Sequence, residues 1–144
     1  MNLKASYILF CLSIMVSNLF AQELSDFQWE NRLLVMYADS NERSSINDQQ
    51  LVFQDTKDQL EERKLILFHF DGSTLTKIYP SVEQFKIEDI GIEFKHPYES
   101  VLIGLDGGVK KRWKSVVSPE IIFDLIDSMP MRRAEIRNKQ IRKQ

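Results

Sequence analysis

Few side chains in this 144-residue sequence are of the kinds that carry nucleophilic, acid–base or metal chemistry: one cysteine, Cys11, and two histidines, His69 and His96. A reactive thiol needs a polar, electropositive setting, whereas Cys11 sits in an apolar run near the start of the chain. His69 lies inside the apolar stretch Leu65 to Phe70, where an imidazole is expected as a satisfied core or strand-edge residue and not as a ligand. His96 adjoins Pro97, and with Asp39 and Glu42 it would form an acid–base or metal cluster if their loops meet at one end of a sheet; nothing in the spacing requires this. Asp106-Gly107-Gly108 lacks the strand-to-helix setting in which backbone amides cradle a phosphate, and is expected to be a hairpin turn. Asp124, Asp127, Arg132 and Arg133 surround Pro130; the expected role is a charge network that docks the C-terminal segment, the alternative a surface for a partner. Trp29 and Trp113 are expected to pack or to anchor, not to cage a ligand.

The elements that must position these residues begin after a leader. Lys4, an apolar run from Tyr7 to Val16 and the segment Ser17 to Ala21 have the form of a cleaved signal peptide. The run is too short to span a bilayer, which takes about 20 apolar residues. Bulky Phe10 before Cys11 argues against lipid attachment. Cleavage after Ala21 leaves a chain without cysteine, which excludes disulfides, thiolate catalysis and zinc–thiolate sites. It also leaves 18 basic against 21 acidic side chains, unevenly spread. Arg132, Arg133, Arg137, Lys139, Arg142 and Lys143 face only Glu135 in the last 13 residues, a local +5 on a body of about −8. Such a tail is expected to lie against its own acidic body, with peripheral contact to an anionic surface as the alternative.

Arg32 to Ala38 and Leu65 to Phe70 are continuous apolar runs of strand length, suited to central strands covered on both faces. Between them, Ser45 and Asp48 have the spacing of a capping box, and Ile46, Phe53 and Leu60 form one stripe of a helix expected to reach about Glu62. The result is a βαβ unit with parallel strands. Leu75 to Tyr79 is expected as a short strand and Val82 to Ile90 as a short helix stopped by Gly91. Ser100 to Leu105 and Val109 to Trp113 flank an Asp-Gly turn and read as a hairpin. Ser118, Pro119 and Glu120 then open a helix whose inner face is Ile122, Leu125, Ile126 and Met129, ended or kinked by Pro130.

Strand, helix, strand, short helix, strand, strand, helix is the order of a thioredoxin-like fold. The run Leu102 to Arg112, with Ser118 to Arg137 and above all Asp124-Leu-Ile-Asp-Ser-Met-Pro-Met-Arg-Arg133, closely resembles the thioredoxin-like domain of unknown function found in exported bacterial proteins and in animal sushi-repeat-containing and coiled-coil-domain-containing secreted proteins. Leu105 departs from the Lys usual in that family's Gly-Lys-Asp-Gly-Gly turn. The resemblance implies secretion and a thioredoxin fold, and brings no established activity. In a redox-active thioredoxin the cysteine pair follows the first central strand; here that place holds Asp39, Ser40, Asn41, Glu42 and Arg43. Pro97 falls where thioredoxins carry a cis-proline.

The expected molecule is therefore an α/β domain spanning residues 22–131, with a mixed sheet of four to five strands flanked by helices and a basic helical tail at 132–144. Its expected role is non-catalytic binding of a protein or cell-envelope component after export. Asp39, Ser40, Asn41, Glu42, Arg43, His96 and Pro97 form the candidate surface, with Arg132 and Arg133 as a second; no cofactor and no nucleic acid is expected. The alternative is a cysteine-independent or peroxiredoxin-like enzyme built on Asp39, Glu42 and His96, with or without a metal.

Overall fold

A computed structural model describes residues 23–87 and 90–143. The expected signal peptide, Cys11 included, lies outside the described residues. A six-stranded mixed sheet has the order β4-β3-β2-β1-β5-β6. Its strands are β1 (Arg32–Ala38), β2 (Leu65–Phe70), β3 (Thr74–Tyr79), β4 (Glu83–Lys86), β5 (Tyr98–Ile103) and β6 (Val109–Trp113). The helices are α1 (Arg43–Val52), α2 (Lys57–Glu62), α3 (Pro119–Ser128) and α4 (Pro130–Ile141), and a short 3-10 turn covers Leu24–Phe27. No helix among the described residues is long and apolar enough to cross a membrane.

β1 is the axis of the sheet. It runs parallel to β2, with Arg32 opposite Leu65 and Met36 opposite His69, and antiparallel to β5, with Val35 opposite Val101. Strands covered on both faces need apolar side chains at consecutive positions, and Leu33, Leu34, Val35 and Met36 are all within 2% of complete burial. Even-numbered β1 residues, Leu34, Met36 and Ala38, face the helices, where they meet Ile46 of α1, Leu60 of α2 and Ile122 and Ile126 of α3. Leu33 and Val35 face the other way, toward Phe27, Phe68 and an irregular segment carrying Ile90, Ile92 and Phe94. Phe94 stacks on Tyr37 with ring centroids 4.7 Å apart.

Several expectations are corrected here. The sheet has six strands, not four to five, because Glu83–Lys86 is strand β4 where a helix was expected from Val82 to Ile90. Leu75 pairs opposite Phe85, and Lys77 meets Glu83 at 2.7 Å, so cross-strand contacts settle the period as two. The expected helix from Ser45 to Glu62 is two helices. Thr56 turns its hydroxyl onto the Phe53 carbonyl, and Phe53 and Thr56 donate three-residue turn bonds, which breaks the ladder. Ile46, Phe53 and Leu60 nevertheless share one core. The Ser45–Asp48 capping box is absent, since α1 begins two residues earlier and Ser45 donates to the Glu42 carboxylate. The helices pack on one face of the sheet around a single core, while the opposite face is covered by the 3-10 turn and the irregular segment. The cis peptide bond among the described residues precedes Pro80, not Pro97.

The C-terminal half follows its sequence signals more closely. Ser118 precedes Pro119 at the first position of α3, although its hydroxyl makes no capping bond. Met129 adopts an extended backbone, as a residue before proline does, and Pro130 opens α4 in turn. The connection therefore redirects the chain and lets Arg132 reach back under the sheet.

Arg132 is 4% exposed. Its Nε donates to Asp127 at 3.0 Å and its terminal nitrogens reach the Glu62 carbonyl at 3.0 Å, the Glu62 carboxylate at 3.3 Å and Glu135 at 3.4 Å. Glu135 also pairs with Arg32 at 3.0 Å, and Asp127 with Arg63 at 2.6 Å. Asp127 and Arg132 dock the C-terminal segment as expected; Asp124 and Arg133 stand exposed. Removing a partner from a buried ion network leaves uncompensated charge, at a cost of about 3–5 kcal/mol. Arg132→Met is expected to lose that much in urea unfolding and to speed amide exchange throughout α4, whereas Arg133→Met changes neither.

Candidate functional site

The parallel pairing of β1 and β2 brings the chain segments after both strands to one edge of the sheet. The loop after β1 is locally rigid. Asp39 Oδ1 accepts from the amides of Asn41 at 2.9 Å and Glu42 at 3.1 Å, and the Asp39 amide donates to the Pro97 carbonyl at 2.8 Å. Asp39 is thus a loop-former whose carboxylate is half committed to its own backbone.

This loop is a ridge between two concavities. One, of about 590 Å³, is lined by Asp39, Ser40, Arg43, Asn47, His69 and Asp71. The other, of about 510 Å³, is lined by Glu42, Ser45, His96, Pro97, Tyr98 and Lys114. The expected surface is therefore divided: Asp39, Ser40 and Arg43 line the first hollow, Glu42, His96 and Pro97 the second, and Asn41 stands exposed on the crest between them. Asp39, Glu42 and His96 do not converge, and among the described residues no three His, Cys, Asp or Glu side chains gather as a metal site. Arg132 and Arg133 belong to the opposite end of β1, and the burial of Arg132 removes it from any docking surface.

Sequence reasoning missed three residues that shape this edge. His69 was read as a core or strand-edge group, yet it lines the first hollow. The signal was available in strand parity, because Leu65 and Leu67 face the helices and His69 continues their side, beneath α1. Burial lowers the His69 pKa, with Asp71 opposing and Arg43 reinforcing the shift. Gln49, fully buried, is the second. Its Nε2 donates to the Val117 carbonyl at 2.8 Å while its Oε1 accepts from the Val117 amide at 2.9 Å and the Tyr98 hydroxyl at 3.1 Å. It ties α1 to the 114–118 loop much as a strand neighbour would. Burial pushes the Tyr98 phenol up to about 12. The third is Glu99, 2% exposed, which accepts from the Lys95 amide and from Arg112 at 2.8 Å. Its burial would raise the carboxyl pKa, but these bonds outweigh it and hold it below the ordinary value.

Residues 23–135 match the family described as "Domain of unknown function (DUF4174)". The chain belongs to this family. It is also 30% identical over 137 residues to "Coiled-coil domain-containing protein 80" of Danio rerio, an alignment that covers 81% of this chain and 16% of that protein. The chain thus spans about a sixth of the length of this relative. No solved structure matches. The family match takes in both hollows of this DUF4174 domain and stops within α4.

Two outcomes are expected. Gln49→Met keeps the volume but strands the amide and carbonyl of Val117 and the Tyr98 hydroxyl, so urea unfolding loses about 3 kcal/mol. For His69 the folded pKa is depressed, so the unfolded chain binds protons more readily as pH falls below about 6.5. Stability is then full above that pH and declines as the pH falls below it. His69→Gln flattens this part of the profile, and an unchanged slope contradicts the assignment.

Proposed function

We propose that this DUF4174 domain is an exported, non-catalytic, thioredoxin-like binding module whose working surface is the ridge Asp39–Arg43 with its two flanking hollows. The observation that carries the reading is the composition of the turn after β1. A redox-active thioredoxin needs a thiolate there, lowered in pKa by the following helix, and this turn supplies Asp39, Ser40, Asn41, Glu42 and Arg43. A hydroxyl is no substitute without an adjacent base, and among the described residues none hydrogen-bonds to the Ser40 hydroxyl. Contact chemistry is what these residues offer.

The thioredoxin-like reading is supported by the strand order β2-β1-β5-β6, by the parallel pairing of β1 with β2, and by a helix following β1 and another following β6. The departure is the stretch between β2 and β5, where β3, β4 and the irregular segment stand in place of a short helix. Export is supported by the form of the first 21 residues and by a family match that starts at residue 23. A partner of protein or cell-envelope character suits a ridge that offers both charges and exposed amide groups.

Photo-reactive side chains introduced at Ser40 and at Val116 test this reading in the producing cell, with Val109 on β6 as control. The expected result is one discrete cross-linked species from the first two positions and none from the control, on a chain whose first residue is Gln22. Absence of cross-links from both hollows, retention of Cys11, or a turnover by the purified protein that disappears in Asp39→Asn overturns it.

A further inference from the structure

At the other end of β1, about 20 Å from the ridge by the rise of a strand, a cavity of about 280 Å³ lies between the β5–β6 turn and the start of α4. It is lined by Leu105, Met129 and Met131 together with Asp106, Lys110 and Arg32. Two independent features give this apolar space the polarity of an anion site. The Arg32 side chain is 1% exposed, and its Nε is buried without a hydrogen-bond acceptor. Its terminal nitrogens are already committed to Glu135 and the Arg63 carbonyl. An orphan buried donor is uncommon and costs free energy until an acceptor reaches it. The second feature is the N-terminus of the 12-residue helix α4, formed by Met129, Pro130 and Met131 at the cavity wall. It has no side-chain cap and no acidic residue in its first turn, a condition that α1 shares, so the Met131 and Arg132 amides have no partner among the described residues. Lys110, bonded to Asp106 at 2.6 Å, keeps two further donors.

We propose that this cavity binds an apolar carboxylate. The carboxylate faces the first turn of α4, taking the Arg32 Nε–H on one oxygen and pairing with Lys110, while a short hydrocarbon body lies among Leu105, Met129 and Met131. The unbranched thioether of Met129, partly buried over this core, is the wall that yields to admit the acceptor. The volume is just under that of drug-sized pockets, which limits the guest to a small acid or to the last residue of a peptide. Both present the same group, and they differ in whether chain continues beyond it.

The test uses protein expressed from its complete coding sequence and labelled with ¹⁵N at arginine, so that each Nε–H gives its own resonance. Hexanoate is expected to move the Arg32 Nε–H resonance saturably and downfield, and hexan-1-ol to leave it in place. Acetyl-alanyl-leucine bearing a free carboxylate tests the peptide source against the free acid: a tighter response than hexanoate assigns the site to peptide termini, a weaker one to small acids. Lys110→Met is expected to weaken hexanoate binding about tenfold, the loss of one charge-assisted bond. Gly104→Ala places a methyl 2.4 Å from the Lys110 Cε, displaces that side chain and weakens binding likewise. No saturable change at Arg32 with either acid, an equal response to hexan-1-ol, or wild-type affinity in both variants overturns the proposal.

Discussion

A guanidinium withdrawn from water must be surrounded by acceptors, and the architecture of this domain follows from meeting that demand in full for Arg132 and at all but the Nε of Arg32. Arg32 begins the central strand and Arg132 lies in the first turn of the last helix. Glu135 touches both, Asp127 joins Arg132 to Arg63, and Glu62 holds Arg132 through both carboxylate and carbonyl. The ends of α2, α3 and β1 and the first turns of α4 are thereby fixed to one another. Coulomb attraction in a partly dry setting repays desolvation only when geometry is good on every side, which is why the Met129–Pro130 redirection matters. Continuation of α3 as a straight helix would carry Arg132 away from Asp127 and Glu62.

At the opposite end of β1 the same problem is solved with neutral groups. Gln49 answers both backbone atoms of Val117 and the Tyr98 hydroxyl, so a loop without secondary structure is held as firmly as a strand edge. Asp39 closes its own loop and leans on the Pro97 carbonyl. The two hollows therefore have fixed walls, and a pre-organised surface loses less entropy on binding than a mobile one.

What could be read from the residues tracks how local the deciding interaction is. β1 and β2 announce themselves through unbroken apolar runs, and α3 through Ser118-Pro119-Glu120, because burial on both faces and the free amides of a helix start are properties of neighbouring residues. The break between α1 and α2 consists of three-residue turn bonds from Phe53, Gln54 and Thr56, a choice that the continuing stripe of Ile46, Phe53 and Leu60 conceals. β4 was misread because four residues with one inward side chain carry almost no period, and the strand exists through Leu75 and Lys77 on its neighbour. Gln49 and Glu99 look like ordinary surface residues until partners 68 and 13 positions away enclose them. The division of Asp39 from His96 is of the same kind, since loop membership at one sheet edge can be inferred from topology while the side of a ridge cannot.

The two ends of β1 also divide the chemistry of the domain. In a redox-active thioredoxin the reactive thiol follows the first strand because the following helix dipole can act there; in this chain the turn after β1 is closed by the Asp39 carboxylate and carries no thiol. None of the four described α-helices has a side-chain cap, and the start of α4 is set apart by the buried Arg32 nitrogen beside it that has no acceptor. The start of α1 follows the polar turn Asp39–Glu42, whereas the start of α4 adjoins a cavity that Arg32 and Lys110 also line. The two ends of β1 thus differ in what they leave unanswered, a loop closed on its own carboxylate at one and a buried nitrogen without an acceptor at the other.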